Sequence, residues 1–283
     1  MSTLTTTADS NTSGNMVKYA LCRATGATGK AILRALHAKP LPALDLSIYI
    51  RNKSKLLSLF PTLESSPPFP TTIYEGSNTN TALWKQCLRD VNLIMMCIAS
   101  NVSKKGETRF TETASAVVKA LEELRQEQKH AYKTPSILIL RASILNERFN
   151  PGLKQGGFMF FCLKHLYDDM VAANRFYESK ANEVSDPPGL PKLLEYIYVD
   201  PPSIHDAEGT TGPTGYRLNT EPGNEASGEL SYADLGASFG EIAERREEYK
   251  GLGVSVTSTG KTKTTWPVLM SFLAQGAAGR VTG

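Results

Sequence analysis

VKYALCRATGATGK, residues 17–30, sets an apolar strand-like run, a turn of small residues and the start of an amphipathic helix in immediate succession. That succession is the opening βα unit of a dinucleotide-binding sheet. In the G-x-x-G-x-x-G form of the fingerprint, the first glycine closes the turn, the second lets the backbone approach a pyrophosphate, and the third lets the helix pack on its strand. The helix N-terminus adds unpaired amide donors and a partial positive charge for the phosphates. Here Arg23, Gly26 and Gly29 hold the three positions, so an arginine stands where the first glycine is expected. Two readings of Arg23 follow: a guanidinium clamp on the pyrophosphate, or a bulky residue that obstructs it and strains the turn.

Outward from this unit, apolar runs of strand length alternate with segments of helical period, the signature of consecutive βα units and a parallel sheet. Strands are predicted over residues 19–22, 46–50, 72–75, 91–98, 136–140 and 194–199, and helices over 29–38, 81–89, 110–124 and 158–182. The run VNLIMMCI (91–98) is apolar nearly throughout, as befits a central strand covered on both faces. Residues 146–157 break the pattern as a glycine-containing loop of the kind that borders an active site or enters a lid. Further on come a glycine-rich loop between Gly209 and Gly228, a helix over 232–249 and a last helix around Trp266. The expected fold class is α/β, a Rossmann-type doubly wound parallel sheet with a small C-terminal substrate lid. It occupies residues 16–283 behind a disordered Ser/Thr-rich tail, 1–15.

The chain has 283 residues, 41% of them apolar and 21% charged, enough for one large core. Its formal charge of +3 is spread among both signs without blocks, which argues against nucleic acid and against an anionic membrane. No apolar run approaches the roughly 20 residues needed to span a bilayer. The tail lacks the apolar stretch of a secretory signal, so the expected setting is cytoplasmic. Cys22, Cys87, Cys97 and Cys162 stand far apart, with no Cys-x-x-Cys pair and no histidine at ligand spacing, and read as buried reduced thiols with no metal site.

Cofactor choice is decided at the end of the second strand, where a carboxylate suits NAD and cations suit the 2′-phosphate of NADP. Arg51, Lys53 and Lys55 stand there without a carboxylate, so NADP (NADPH) is the expected cofactor. Asn78 after the third strand, and Ala99, Ser100 and Asn101 after the fourth, lie at carboxyl ends, where the crevice of such a sheet opens. Short-chain dehydrogenases pass a proton through a tyrosine with a lysine four residues on. The only such pair, Tyr49 and Lys53, sits on the cofactor-selecting side. Tyr177 with Lys180, at a spacing that can share one helical face, is the nearest substitute, and Ser143 is the helper hydroxyl. Tyr167 competes for the donor role, and the plain alternative for Tyr177 is packing inside the core or a place on the surface, since FYESKANE (176–183) also reads as an exposed helix end. His205 lies in a loop expected to face the cleft. The run Gly157 to Leu163 is expected in the core or against a planar ligand.

The stretches ALCRATGATGKAILRAL (20–36), RNKSKLLSLFP (51–61), CIASNVSK (97–104), YIYVDPPSIHDAEGT (196–210) and LSYADLGASFGEIAERREE (230–248) together resemble the averufin oxidase A family of fungal NAD(P)-binding oxidoreductases. That family is similar to the NmrA-like atypical short-chain dehydrogenases. The resemblance runs from about Lys18 to Arg280. It implies a Rossmann fold with a C-terminal lid, and oxidoreductase chemistry on an aromatic polyketide of the anthraquinone or xanthone type. It also implies cofactor contacts at Thr25, Gly26, Ala27, Thr28, Gly29 and Arg51. The chain departs from the family pattern at Arg23, where glycine is expected, and near Ala142 and Ser143, where the family carries a serine-alanine-serine stretch. The family lacks the usual tyrosine and lysine pair, so the resemblance names no catalytic residue. A non-redox isomerase, cyclase or ring-opening enzyme, or an NADP-sensing regulator, are the other functions this fold admits.

Overall fold

The computed structural model describes residues 16–99, 103–149, 157–184, 188–210, 212–222 and 229–282. The chain begins with β1 (Val17–Cys22), α1 (Ala27–Ala38), β2 (Leu44–Ile50), α2 (Lys53–Leu59), α3 (Thr62–Ser65) and β3 (Thr71–Glu75). It continues through α4 (Thr81–Leu88), β4 (Leu93–Met96), α5 (Arg109–Gln128), β5 (Ser136–Leu140), α6 (Phe158–Asn182) and β6 (Glu195–Asp200). The last part holds β7 (Ser203–His205), β8 (Tyr216–Asn219), β9 (Glu229–Ser231), α7 (Tyr232–Glu244), α8 (Arg246–Tyr249), β10 (Gly253–Ser258) and α9 (Trp266–Thr282).

Eight strands form one sheet in the order β3-β2-β1-β4-β5-β6-β10-β8, parallel except where β8 runs against β10. β1 pairs with β2 on one side and β4 on the other, so the strand order reverses between β1 and β4. At such a reversal, a crevice opens beyond the carboxyl ends of the strands. α1 and α7 pack on one face, and α4, α5 and α6 on the other. Alternation along β1 divides its side chains accordingly: Ala20 and Cys22 join the α5 side, Tyr19 and Leu21 the α1 side. The Rossmann-type sheet is as expected.

The region beyond β6 differs from the expectation. The glycine-rich stretch holds β8, and GVSVTS forms β10, a strand inserted between β6 and β8. The predicted helix over 232–249 divides at Arg245, whose guanidinium pairs with Glu241 before the break and Glu248 after it. α9 packs on α6 so closely that a Cβ on Gly276 would lie 2.3 Å from the carbonyl of Cys162. All four cysteines are free and buried, and burial pushes the Cys22 thiol up to about 12. No helix among the described residues is long and apolar enough to cross a membrane.

The carboxyl ends of β5, β6 and the start of β10 are joined by a buried ion pair. Arg141 donates through Nε and Nη2 to the two oxygens of Asp200 at 2.7 and 2.6 Å, and Asn146 Nδ2 donates to Oδ2 at 2.6 Å. The guanidinium carbon lies 3.9 Å above the Tyr198 ring. Gly253 makes room for all of this, since a Cβ there would come within 2.5 Å of both Arg141 and Asp200. Removing one member of a buried pair strands the other charge. Asp200→Ala is therefore expected to cost about 3–5 kcal/mol, read as a lowered denaturant midpoint; a loss under about 1 kcal/mol would show that water already serves the pair.

Candidate functional site

The β1–α1 turn has the geometry of a phosphate-binding turn. Arg23 takes its N–H to the carbonyl of Tyr49 on β2 and gives its own carbonyl to the N–H of Gly26, both at 2.9 Å. Gly26 is the N-cap of α1 and its carbonyl accepts from Lys30, so the helix begins immediately. Among the described residues no side chain caps that N-terminus, and no acidic residue stands in its first turn. The first amides of a helix have no partner within it, so those of Ala27, Thr28 and Gly29 are available to an anion. Gly29 is obligatory: a Cβ there would lie 2.3 Å from the carbonyl of Arg23 and 2.8 Å from the Cα of Ala24. Thr25 and Ala27 are half-buried beside it, and Thr28 is buried.

Arg23 occupies the left-handed region with φ of 61°, as the missing glycine would. Its side chain reaches over the sheet edge, and Nη1 donates to the carbonyl of Ala99, beyond β4, at 2.9 Å. Burial draws its pKa down, and the like charges of Arg51 and Arg109 add to that. Arg51 is exposed at the end of β2. Arg109, at the start of α5, pairs with Glu107 at 3.3 Å. Its place in this group was not evident from the sequence; a basic residue opening the helix after β4 was the available signal.

The other expected cofactor positions divide. Lys53 Nζ pairs with Glu64 at 2.9 Å and its N–H donates to Glu75, which leaves Arg51 as the better cation at the end of β2. Asn78 lies in a loop fixed from below, where Tyr49 donates to the carbonyl of Ser77 and Trp84 to that of Asn78. Tyr49 and Trp84 stack with centroids 3.6 Å apart. Tyr49 is thus a core residue. Ser100 and Asn101 lie outside the described residues.

The expected proton relay does not assemble. Tyr177 is 2% exposed, its hydroxyl has no hydrogen-bond partner among the described residues, and burial raises its pKa. Lys180 turns away to Glu122 at 2.9 Å and Glu183 at 3.0 Å. The i, i+3 spacing therefore does not bring the two together. Tyr167 packs edge-on against Phe160, and burial pushes it up to about 12. His205 is buried, with its Nδ1 accepting from the Thr265 N–H at 3.0 Å. Ser143 opens a short turn at the carboxyl end of β5, its N–H bonded to the carbonyl of Pro201. No cluster of metal-ligating side chains occurs among the described residues.

α6 reaches beyond the sheet edge. Asp169 accepts from the N–H groups of Phe110 and Thr111 at 2.8 and 3.1 Å, while Glu122 meets Lys180, so α5 and α6 run side by side in the same direction. The residues of α6 before Asp169 extend about three turns past the start of α5. On that overhang, Phe160 packs inward, whereas Phe158 and Phe161 are 63% and 46% exposed. A groove of about 650 Å³ lies elsewhere, along the outer faces of α1 and α7, walled by Tyr216 and Tyr232.

No protein-family model matches the chain. Averufin oxidase A of Dothistroma septosporum is 45% identical over 271 residues, covering 94% of this chain and 92% of that protein. Averufin oxidase A of Aspergillus flavus is 37% identical, over 94% of this chain and 91% of its own length. Among solved structures, a wide-type short-chain dehydrogenase/reductase from Veillonella parvula in complex with NADP superposes with a TM-score of 0.55, at 14% identity, over 86% of this chain and 95% of that one. Gre2 from Candida albicans in complex with NADPH gives 0.56 at 10% identity, over 86% and 78%.

Arg23→Gly removes a side chain from a left-handed backbone, a relief of roughly 1 kcal/mol or more, against the loss of one surface hydrogen bond. The variant is expected to melt at or above the temperature of the native chain. A fall of several degrees would show that the Arg23–Ala99 bond holds the fold together.

Proposed function

The chain is an oxidoreductase of the averufin oxidase A family, and on that premise we propose that it exchanges a hydride between NADP(H) and an aromatic polyketide of the anthraquinone or xanthone type. The observation that carries the cofactor half is the α1 turn, whose uncapped amides and obligatory Gly29 make a seat for a pyrophosphate. When bound, the nicotinamide supplies the hydride chemistry. Thr25, Gly26, Ala27, Thr28 and Gly29 cradle the phosphates, Arg51 takes the 2′-phosphate, and Asn78 lies on the adenine side. Preference for NADP rests on Arg51, because Glu75, the nearby carboxylate, is engaged with the Lys53 N–H.

The substrate half rests on the names of the relatives and on the overhang. Phe158 and Phe161 offer exposed rings beyond the carboxyl edge, suited to one side of a planar aromatic molecule. α9 and the first turns of α6 form the lid within a single domain of residues 16–283. Ser143, in the turn at the carboxyl end of β5, is the helper hydroxyl of this reading. The reduced, buried cysteines fit work in the cytoplasm.

Titration with NADPH and NADH tests the cofactor assignment. NADPH is expected to raise the melting temperature at lower concentration than NADH, and Arg51→Ala to weaken NADPH alone, by about tenfold. If neither dinucleotide shifts the melt at millimolar concentration, the assignment fails. Tyr177→Phe removes a buried hydroxyl that has no partner among the described residues, so it is expected to stabilise the fold by about 1 kcal/mol and to leave turnover within about threefold. A loss of a hundredfold, the scale of a general acid, would restore Tyr177 as the proton donor.

A further inference from the structure

Arg23 combines three features that closing a turn does not require. It holds a left-handed φ of 61°, which glycine would adopt without strain. Its guanidinium leaves its own turn and bonds to Ala99 at 2.9 Å, on the far side of the β1–β4 crevice. Of the groups acting on its charge, Arg51 and Arg109 are cations like itself, while the buried Cys22 and Cys97 act the other way. Ala99 is exposed, so water serves its carbonyl as well as a guanidinium does. Glu107 offsets Arg109, and Arg23 and Arg51 follow the adjacent parallel strands β1 and β2 at the same carboxyl edge. Like charges drawn together at a half-buried site raise the free energy of the empty protein, and an anion joining them lowers it. The first amides of α1, uncapped among the described residues, begin at that same carboxyl edge, directly after the turn that Arg23 opens.

We propose that Arg23 is an exchangeable strap. In the free protein it spans the crevice from β1 to the carbonyl of Ala99; a pyrophosphate arriving at α1 takes the guanidinium over, so one side chain shuts the empty site and holds the filled one. The ligand class is a pyrophosphate diester, and the strap rests on the dinucleotide reading above while adding a role that a glycine could not perform. Because the planar guanidinium can hold two phosphate oxygens at once, lysine replaces it only in part. Because the strap must leave Ala99 before the ligand seats, it slows association as well as dissociation.

The test is stopped-flow binding of NADPH to the whole chain and to its Arg23→Gly and Arg23→Lys variants at low and high salt, repeated at equilibrium with inorganic pyrophosphate. Arg23→Gly is expected to weaken NADPH about tenfold or more, through faster dissociation. Its association rate should be faster and its salt dependence shallower, whereas an unchanged association rate would reduce Arg23 to a plain clamp and overturn the strap. Arg23→Lys should fall between the two. A glycine variant that binds as tightly as the native chain, or more tightly, overturns the strap and marks Arg23 as an obstruction. Pyrophosphate binding that depends on Arg23, without any NADPH binding, upholds the strap and sinks the dinucleotide reading. Absence of both sinks both. The melting temperature of each variant separates lost binding from lost fold.

Discussion

α1 stands directly on the carbonyl of Arg23, because residue 29 has no side chain to hold them apart. That contact fixes the height of the helix relative to β1 and sets its first amides at the mouth of the crevice. β1 is itself held between β2 and β4, with its second residue, Lys18, donating to Asn92 Oδ1 at 2.9 Å. The next layer repeats the device: α7 lies against α1 at Gly236, where a Cβ would meet the carbonyl of Ala31 at 2.4 Å. A larger residue at position 29 would lift α1 off its strand, and α7 with it.

The opposite face is organised by two helices that run together. Asp169 joins α6 to the start of α5 through buried hydrogen bonds, while the Lys180–Glu122 pair lower down is partly exposed and contributes little. The buried end therefore sets the register, and the surplus length of α6 emerges at the carboxyl edge. The overhang and its packing against α9 are consequences of that register. The same arrangement commits Lys180 to Glu122 and turns Tyr177 inward, so packing has taken both residues of the expected relay.

Much of this was legible locally. The turn after β1, the apolar runs of β4 and β5 and the period of α5 are written in adjacent residues, and each element formed where expected. β8 and β10 were not legible, because YRLN and GVSVTS are too short to show a period and acquire their places only by pairing with one another and with β6. The site divides in the same way. The spacing of Arg23, Gly26 and Gly29 marks the left-handed residue and the seat of the helix, whereas the crossing to Ala99 and the approach of Arg109 join parts of the chain far apart in sequence. Tyr177 misled for a related reason: FYESKANE reads as an exposed helix end, and only the tertiary packing shows that its tyrosine is the residue turned inward.

Asp169 has a further effect. Two helices, α1 and α5, begin beside the crevice, one after each of the strands that border it, and every helix end of this kind attracts negative charge. At α5 the chain's own carboxylate is already seated on the amides of Phe110 and Thr111. Among the described residues, α1 carries no such internal guest. An incoming anion thus meets one reserved berth and one open berth, and the direction in which a long ligand would lie across the sheet follows from that difference in prior occupancy before any side chain recognises it.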